Sequence, residues 1–180
     1  MNVGIVTSFV IAALLLISVM AWNARVSQNS GVVTLSQMTK QRAEGIGETL
    51  SFDLRNLGQG IAVDPIISVD SNSIELLVFN PTTGAQNIKW EYDYDEPMSG
   101  TLNPNDHVLY RVVNGVETDI RFGVTRFKLT FYDDSGSPTL DPDDIRKIRV
   151  LLKVESPTAI DFGRYVTTYW ETEISPRALR

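Results

Sequence analysis

The first twenty-three residues after the initiator, Asn2 to Ala24, contain no charged side chain. They are followed by a polar stretch in which Val32, Leu35, Thr39, Ala43, Ile46, Leu50, Leu54 and Leu57 recur every three or four positions. The first segment is apolar all round. At about 1.5 Å per residue, twenty helical residues span roughly 30 Å, the thickness of a bilayer's hydrocarbon core. The second has one apolar stripe facing a polar side of Gln37, Lys40, Gln41, Glu44, Glu48 and Asn56, which predicts an amphipathic helix. Gly31 marks an expected kink or break between the two halves. Gly58-Gln59-Gly60 is the expected stop.

Beyond Ile61 the period changes from 3.6 to 2. Ile74–Phe79 reads as a strand, and Ile88, Trp90, Tyr92 and Tyr94 alternate with Lys89, Glu91 and Asp93. Val108, Tyr110 and Val112 alternate around Arg111, and Phe127, Leu129 and Phe131 alternate with Arg126, Lys128 and Thr130. Ile148, Val150, Leu152 and Val154 form the same pattern, and Tyr165–Ile174 is a last β-rich run. Such alternation predicts antiparallel sheets with one covered and one wet face. Asn114-Gly115 is a two-residue hairpin signal between Tyr110–Val113 and Val116–Phe122. The striped helix needs a partner and the sheets need a lid. The expected fold is therefore α+β, with one long N-terminal helix, a membrane half plus an amphipathic half, packed on antiparallel β-sheet. The segments are a transmembrane helix over 1–24, a helical extension over 25–58 and a β-rich soluble domain over 59–180.

Three readings compete for the N-terminus. A cleaved signal peptide is weakened by the missing basic n-region, although Val19-Met20-Ala21 offers a cut. A buried core helix is disfavoured by more than five turns that are apolar all round. A retained membrane span fits best. Arg25, Lys40 and Arg42 follow the span and no basic side chain precedes it, which by the positive-inside rule alone places the remainder in the cytoplasm.

The charge of -6 lies wholly beyond the span and argues against nucleic acid, which selects Lys/Arg-rich faces. With no cysteine, disulfides, thiolate metal sites and thiol nucleophiles are excluded. His107 is the one histidine and lacks a ligand set or a nucleophile. Asp133 and Asp134, with Asp141, Asp143 and Asp144, form an oxygen-only cluster that is the candidate Ca²⁺ loop. The alternative is a solvated connection using Asp and Pro for turns. Glu91, Asp93, Asp95 and Glu96 admit a carboxylate hydrolase only if Glu91 and Asp93 converge with Asp133 or Asp134 in one cleft. More simply, Glu91 and Asp93 are the wet side of a strand. No catalytic residue and no cofactor is expected.

Several pieces carry a resemblance, in this order. They are the apolar N-terminal helix, Phe52-Asp53-Leu54-Arg55-Asn56-Leu57-Gly58, and Val108-Leu109-Tyr110-Arg111 before Asn114-Gly115. Then come Gly123-Val124-Thr125-Arg126-Phe127-Lys128-Leu129-Thr130-Phe131-Tyr132-Asp133 and Ile145-Arg146-Lys147-Ile148-Arg149-Val150-Leu151-Leu152. Together they resemble the minor pilin-like proteins, most nearly the J-type minor pseudopilin of type II secretion and the W-type minor pilin of type IV pili. The resemblance implies a pilin-like fold and a non-enzymatic subunit in the assembly or tip of such a filament. The alternative is a membrane-anchored envelope domain that binds a partner without forming a filament.

The resemblance also implies leader cleavage after Gly4, making Ile5 the first mature residue. Phe9 then stands at the fifth mature position, where the family carries Glu, and the leader Met1-Asn2-Val3-Gly4 lacks Lys or Arg. Implied partners are the lipid bilayer, other pilin-like subunits through Val6, Phe9, Val10, Leu14, Leu15 and Ile17, and a secreted protein client. The implied location is the bacterial inner membrane, single-pass, with the soluble domain on the non-cytoplasmic side. Val32, Leu35, Ala43, Ile46, Leu50, Leu54 and Leu57 are the expected helix-on-sheet contacts.

Overall fold

The computed structural model describes residues 3–61, 64–120, 123–160 and 162–179. It is an α+β arrangement of one helix and two antiparallel sheets. Helix α1 runs Val3–Arg55 without interruption, 53 residues or about 80 Å. Gly31 neither kinks nor breaks it. A Cβ there would meet nothing within 4 Å, so its cost is one of propensity alone, and the turns on either side carry the helix through.

The first sheet has the order β1-β2-β3-β4-β5, comprising Ile66–Val69, Ser73–Asn80, Gly84–Pro97, His107–Val113 and Val116–Ile120. Every neighbour is antiparallel. The hairpin turn between β4 and β5 places Asn114 at φ 51° and Gly115 at φ 81°. Both central residues are left-handed, as a type I′ turn requires, and this is why Asn-Gly occupies it. The second sheet has the order β6-β7-β8, comprising Val124–Tyr132, Lys147–Glu155 and Thr167–Ile174. Strand β1 was not anticipated, because its Ile-Ile-Ser-Val sequence does not alternate.

The helix roofs the second sheet. Its buried residues are Thr39, Ala43, Ile46, Gly47, Leu50, Asp53 and Leu54, a single stripe spaced by three and four. They pack on β7 and β8. Contacts advance together along both elements. Thr39 Oγ1 lies 3.1 Å from Thr168 Oγ1, Gly47 meets Trp170, and Arg55 lines a cleft with Glu173 and Ile174. Strand β8 therefore runs alongside the helix in the same direction. At Gly47 a Cβ would fall 2.3 Å from the Trp170 ring. Close approach of the indole, not helix propensity, explains this glycine.

Four expectations need correction. Val32 is 37% exposed and Leu35 only half-buried, so the roof begins at Thr39, where β8 begins. The apolar spacing continues past the edge of the sheet it was expected to cover. Leu57 is buried, but it lies beyond the helix end and bridges Val78 of β2. On β4 the alternation has the opposite phase. Leu109, Arg111 and Val113 stand opposite the core residues Tyr92, Trp90 and Ile88, so Arg111, not Tyr110, shares the inner face. Tyr94, expected inside, is half exposed, its hydroxyl donating to Phe127 O at 3.1 Å.

One core joins the helix and both sheets. It contains Leu50, Leu54, Trp90, Tyr92, Phe127, Phe131, Ile148 and Leu152 among others. Tyr92 O–H donates to Val124 O at 3.2 Å and its ring centroid lies 6.5 Å from that of Phe127, which ties β3 to β6.

Candidate functional site

Every described residue from Val3 to Thr34 is exposed. Within this stretch the helix is long and apolar enough to cross a membrane, and none of that span is buried against the rest of the chain. Val6, Phe9, Val10, Leu14, Leu15 and Ile17 lie between 50% and 73% exposed. Water around so many aliphatic and aromatic side chains is strongly unfavourable, at about 25 cal/mol per Å². This half of the helix is suited to a single membrane span or a signal anchor. Gly4 lies in the first turn, with open space where a Cβ would be. Ser8 Oγ donates back to Gly4 O at 2.9 Å, and Thr7 and Ser18 bond the carbonyls four residues before them. These hydroxyls are thereby satisfied within the helix, as an apolar surrounding demands.

The distal half is fixed to the first sheet through a buried charge. Asp53, 1% exposed, accepts from Arg111 Nε at 2.8 Å, from the same guanidinium's second nitrogen at 3.0 Å, and from Trp90 Nε1 at 2.9 Å. Arg111 also lies over the Trp90 ring, 5.9 Å from its centroid. The fork geometry of arginine matches both carboxylate oxygens, while the indole N–H occupies a further lone pair. The helix end is thus held by β3 and β4, and the turn that follows it is joined to β2 by Gly58 N donating to Leu77 O at 2.9 Å. In the sequence Asp53 stands out only within Phe52–Gly58, the segment before the expected helix stop that carries part of the resemblance. The signal was an acid on the apolar stripe, one turn beyond Leu50.

A second polar cluster holds the sheets together at the end nearest the exposed half of the helix. The β3–β4 loop, residues 98–106, folds over the end of β7. There Asn103 Nδ2 and Asn105 Nδ2 donate to Glu155 Oε2 at 3.0 and 3.3 Å, and Lys153 Nζ lies 2.6 Å from Oε1. Burial opposes ionisation of Glu155, but the bonds from Asn103, Lys153 and Asn105 outweigh it and hold the carboxyl below its ordinary value. Asp106, also buried, accepts from Thr101 Oγ1 at 2.7 Å, while its Oδ1 has no partner among the described residues. Burial raises its value despite the Thr101 bond, with Glu155 adding to the rise and Arg42 and His107 opposing it.

These two carboxyls act in opposite senses. A group held low contributes stability that is whole above its ordinary value, 4.5 for Glu155, and is lost as pH falls through the folded value. A group held high destabilises above its folded value and is relieved as pH falls through it. The detergent-solubilised protein is therefore expected to melt highest at mildly acidic pH. Glu155→Gln should remove the acid limb of that profile, and Asp106→Asn should remove the gain in melting temperature that comes as pH falls through the raised Asp106 value. An unchanged profile in both variants, measured by thermal melting across pH, would contradict the assignment.

Asp133 and Asp141 close turns. Asp133 Oδ1 accepts from Ser135 Oγ at 2.7 Å and Ser137 N at 2.8 Å, bonds that hold its carboxyl below the ordinary range. Asp141 caps the short 3₁₀ turn Pro142–Asp144 by accepting from Asp143 N. Among the described residues no three acidic or histidine side chains are gathered to hold a metal. The candidate Ca²⁺ set Asp133, Asp134, Asp141, Asp143 and Asp144 is thus not assembled. Glu91 instead pairs with Lys89 at 2.7 Å, and Asp93 accepts from Asp95 N at 2.8 Å and Glu96 N at 3.2 Å, on β3 of the first sheet, whereas Asp133 follows β6 of the second.

Neither the known protein families nor the curated proteins contain a match to this chain.

Proposed function

We propose that this chain is a non-enzymatic minor pilin-like subunit. It is anchored by Val3–Trp22 in the bacterial inner membrane, carries its β-rich domain on the non-cytoplasmic side, and takes part in the assembly or tip of a type IV pilus or type II secretion pseudopilus. The observation that supports this most is one unbroken 53-residue helix whose first half is bare and whose second half is the roof of a two-sheet domain. A lone anchor has no need to continue as the structural spine of the domain it tethers. An assembling subunit does, because its helix must transmit position from the filament core to the surface domain. Apolar helices leave a bilayer by exchanging lipid for other helices, so a bundle of such helices replaces the membrane as solvent. Other pilin-like subunits are the partners, and a secreted protein is the client of the exposed loops.

A second reading, an envelope domain that binds a partner without polymerising, is favoured by Phe9 at the position where the family carries Glu.

Leu14→Lys separates the outcomes. Lysine at the centre of a span costs about 2.5–3.5 kcal/mol, roughly a hundredfold or more in insertion. The native chain should fractionate with membranes and with isolated pilus or pseudopilus filaments, and the variant should be lost from both. Native chain in the membrane but never with filaments selects the second reading. Equal release of both chains into the soluble fraction overturns both readings.

A further inference from the structure

The two sheets share one core, and the faces they turn away from it carry opposite charge. On the second sheet, β6 and β7 hold Arg126, Lys128, Lys147, Arg149 and Lys153 against the single carboxylate of Glu155. Strand β8 answers part of this, since Arg149 pairs with Glu171 and Lys147 lies 3.6 Å from Glu173. Lys153 is held by Glu155. Arg126 and Lys128 are exposed and have no ion pair among the described residues. The register sets Arg126 directly opposite Lys153, with Lys128 two positions further along the same face. Like charges so placed repel, and on a chain of net charge -6 the domain itself gains nothing from gathering them.

The first sheet shows the reverse. Strand β3 ends in Glu91, Asp93, Asp95 and Glu96, and β5 adds Glu117. Lys89 pairs with Glu91 at 2.7 Å, and the sheet's arginine, Arg111, is turned inward to Asp53. Asp93 accepts from the backbone of Asp95 and Glu96. Asp95 and Glu117 are exposed, and neither they nor Asp93 have an ion pair among the described residues. Each sheet thus presents charge that its own domain leaves unanswered, and the two signs are complementary.

We propose that the basic face of the second sheet, at Arg126 and Lys128, docks on the acidic end of β3, at Asp93–Glu96, of a second copy in the same membrane. Charge complementarity selects this occupant, because every copy carries both the surface that repels its own kind and the surface that neutralises it. One exposed pair contributes little, but several charges meeting together decide which faces are matched and which are rejected. The two faces are different, so the contact is heterologous and leaves one of each free for further copies. The inference rests on the assembly reading and names the contact that orients neighbouring domains.

Charge reversal tests it in the full-length chain. One variant carries Arg126→Glu with Lys128→Glu and is acidic on both faces. The other carries Asp95→Lys with Glu96→Lys and is basic on both. The chain has no native cysteine, so single cysteines at Leu14, Leu15, Leu16 and Ile17 report neighbouring helices. They are paired in all combinations between differently tagged copies and oxidised in membranes. The native chain is expected to cross-link, each reversed variant alone to do so at least about tenfold less, and the two variants expressed together to recover the native yield. Native yield from either variant alone overturns the docking and leaves assembly standing. Loss in each variant without recovery in the mixture shows that the charged faces meet something other than a second copy, and also overturns it. No cross-link in the native chain at any pairing overturns both the docking and the assembly reading.

Discussion

Replacing Leu50 by Asp should prevent the β-rich domain from folding. Leu50 is 0% exposed in the middle of the roof, packed in the core shared by the helix and both sheets. Loss of the leucine alone costs about 2–5 kcal/mol, and an unpaired carboxylate in its place adds several more. The total reaches the whole stability of an ordinary domain, about 5–15 kcal/mol. Val33→Asp, on the bare neck of the same helix, should leave folding unchanged. Protease resistance of the detergent-solubilised chains compares the two directly. A Leu50→Asp chain as resistant as the native one would mean the helix does not roof the sheet.

Asp53→Ala is expected to cost about 3 kcal/mol, the lower end of the 3–5 kcal/mol typical when one partner of a buried ion pair is removed. The lower end applies because the Arg111 side chain keeps a quarter of its surface in water. The loss arises from what remains, a guanidinium facing the core and an indole N–H with its acceptor gone. Asp53→Asn should cost less, since an amide oxygen still accepts from Trp90. The pair Asp53→Leu with Arg111→Met should recover much of the loss by removing both charges. Denaturant titration of the four chains reads these differences. Asp53→Ala within 0.5 kcal/mol of the native protein, a margin of about the size typical for surface substitutions, would show that the pair does not hold the helix to the first sheet.

What sequence reading recovers here depends on whether the cause of a residue lies nearby. The helix and seven of the eight strands follow from local periodicity, since each buries one face and the spacing records which. The phase of β4 does not follow. Val108-Tyr110-Val112 is the more apolar of its two alternations, and what reverses it is Asp53, fifty-eight positions away, drawing Arg111 inward. Gly47 reads as a flaw in the helix until the Trp170 ring is placed against it. Val32 continues the stripe perfectly well, but the sheet beneath has ended. The aspartates after β6 suggest a cation site by composition, whereas their bonds to Ser135, Ser137 and Asp143 use them in turns. The Glu155 cluster leaves no local trace, because its asparagines come from a loop about fifty residues earlier.

A cysteine-accessibility scan along α1 examines most directly whether one rod serves two environments. Single cysteines from Val3 to Leu54, probed in native membranes with a water-soluble maleimide, should give three zones. Val3 to Trp22 should resist labelling on every side, Arg25 to Ser30 should label freely, and Thr39 to Leu54 should alternate with a period near 3.6, Ala43, Ile46 and Leu50 being protected. Labelling of Val3–Trp22 as readily as Arg25–Ser30 would contradict it.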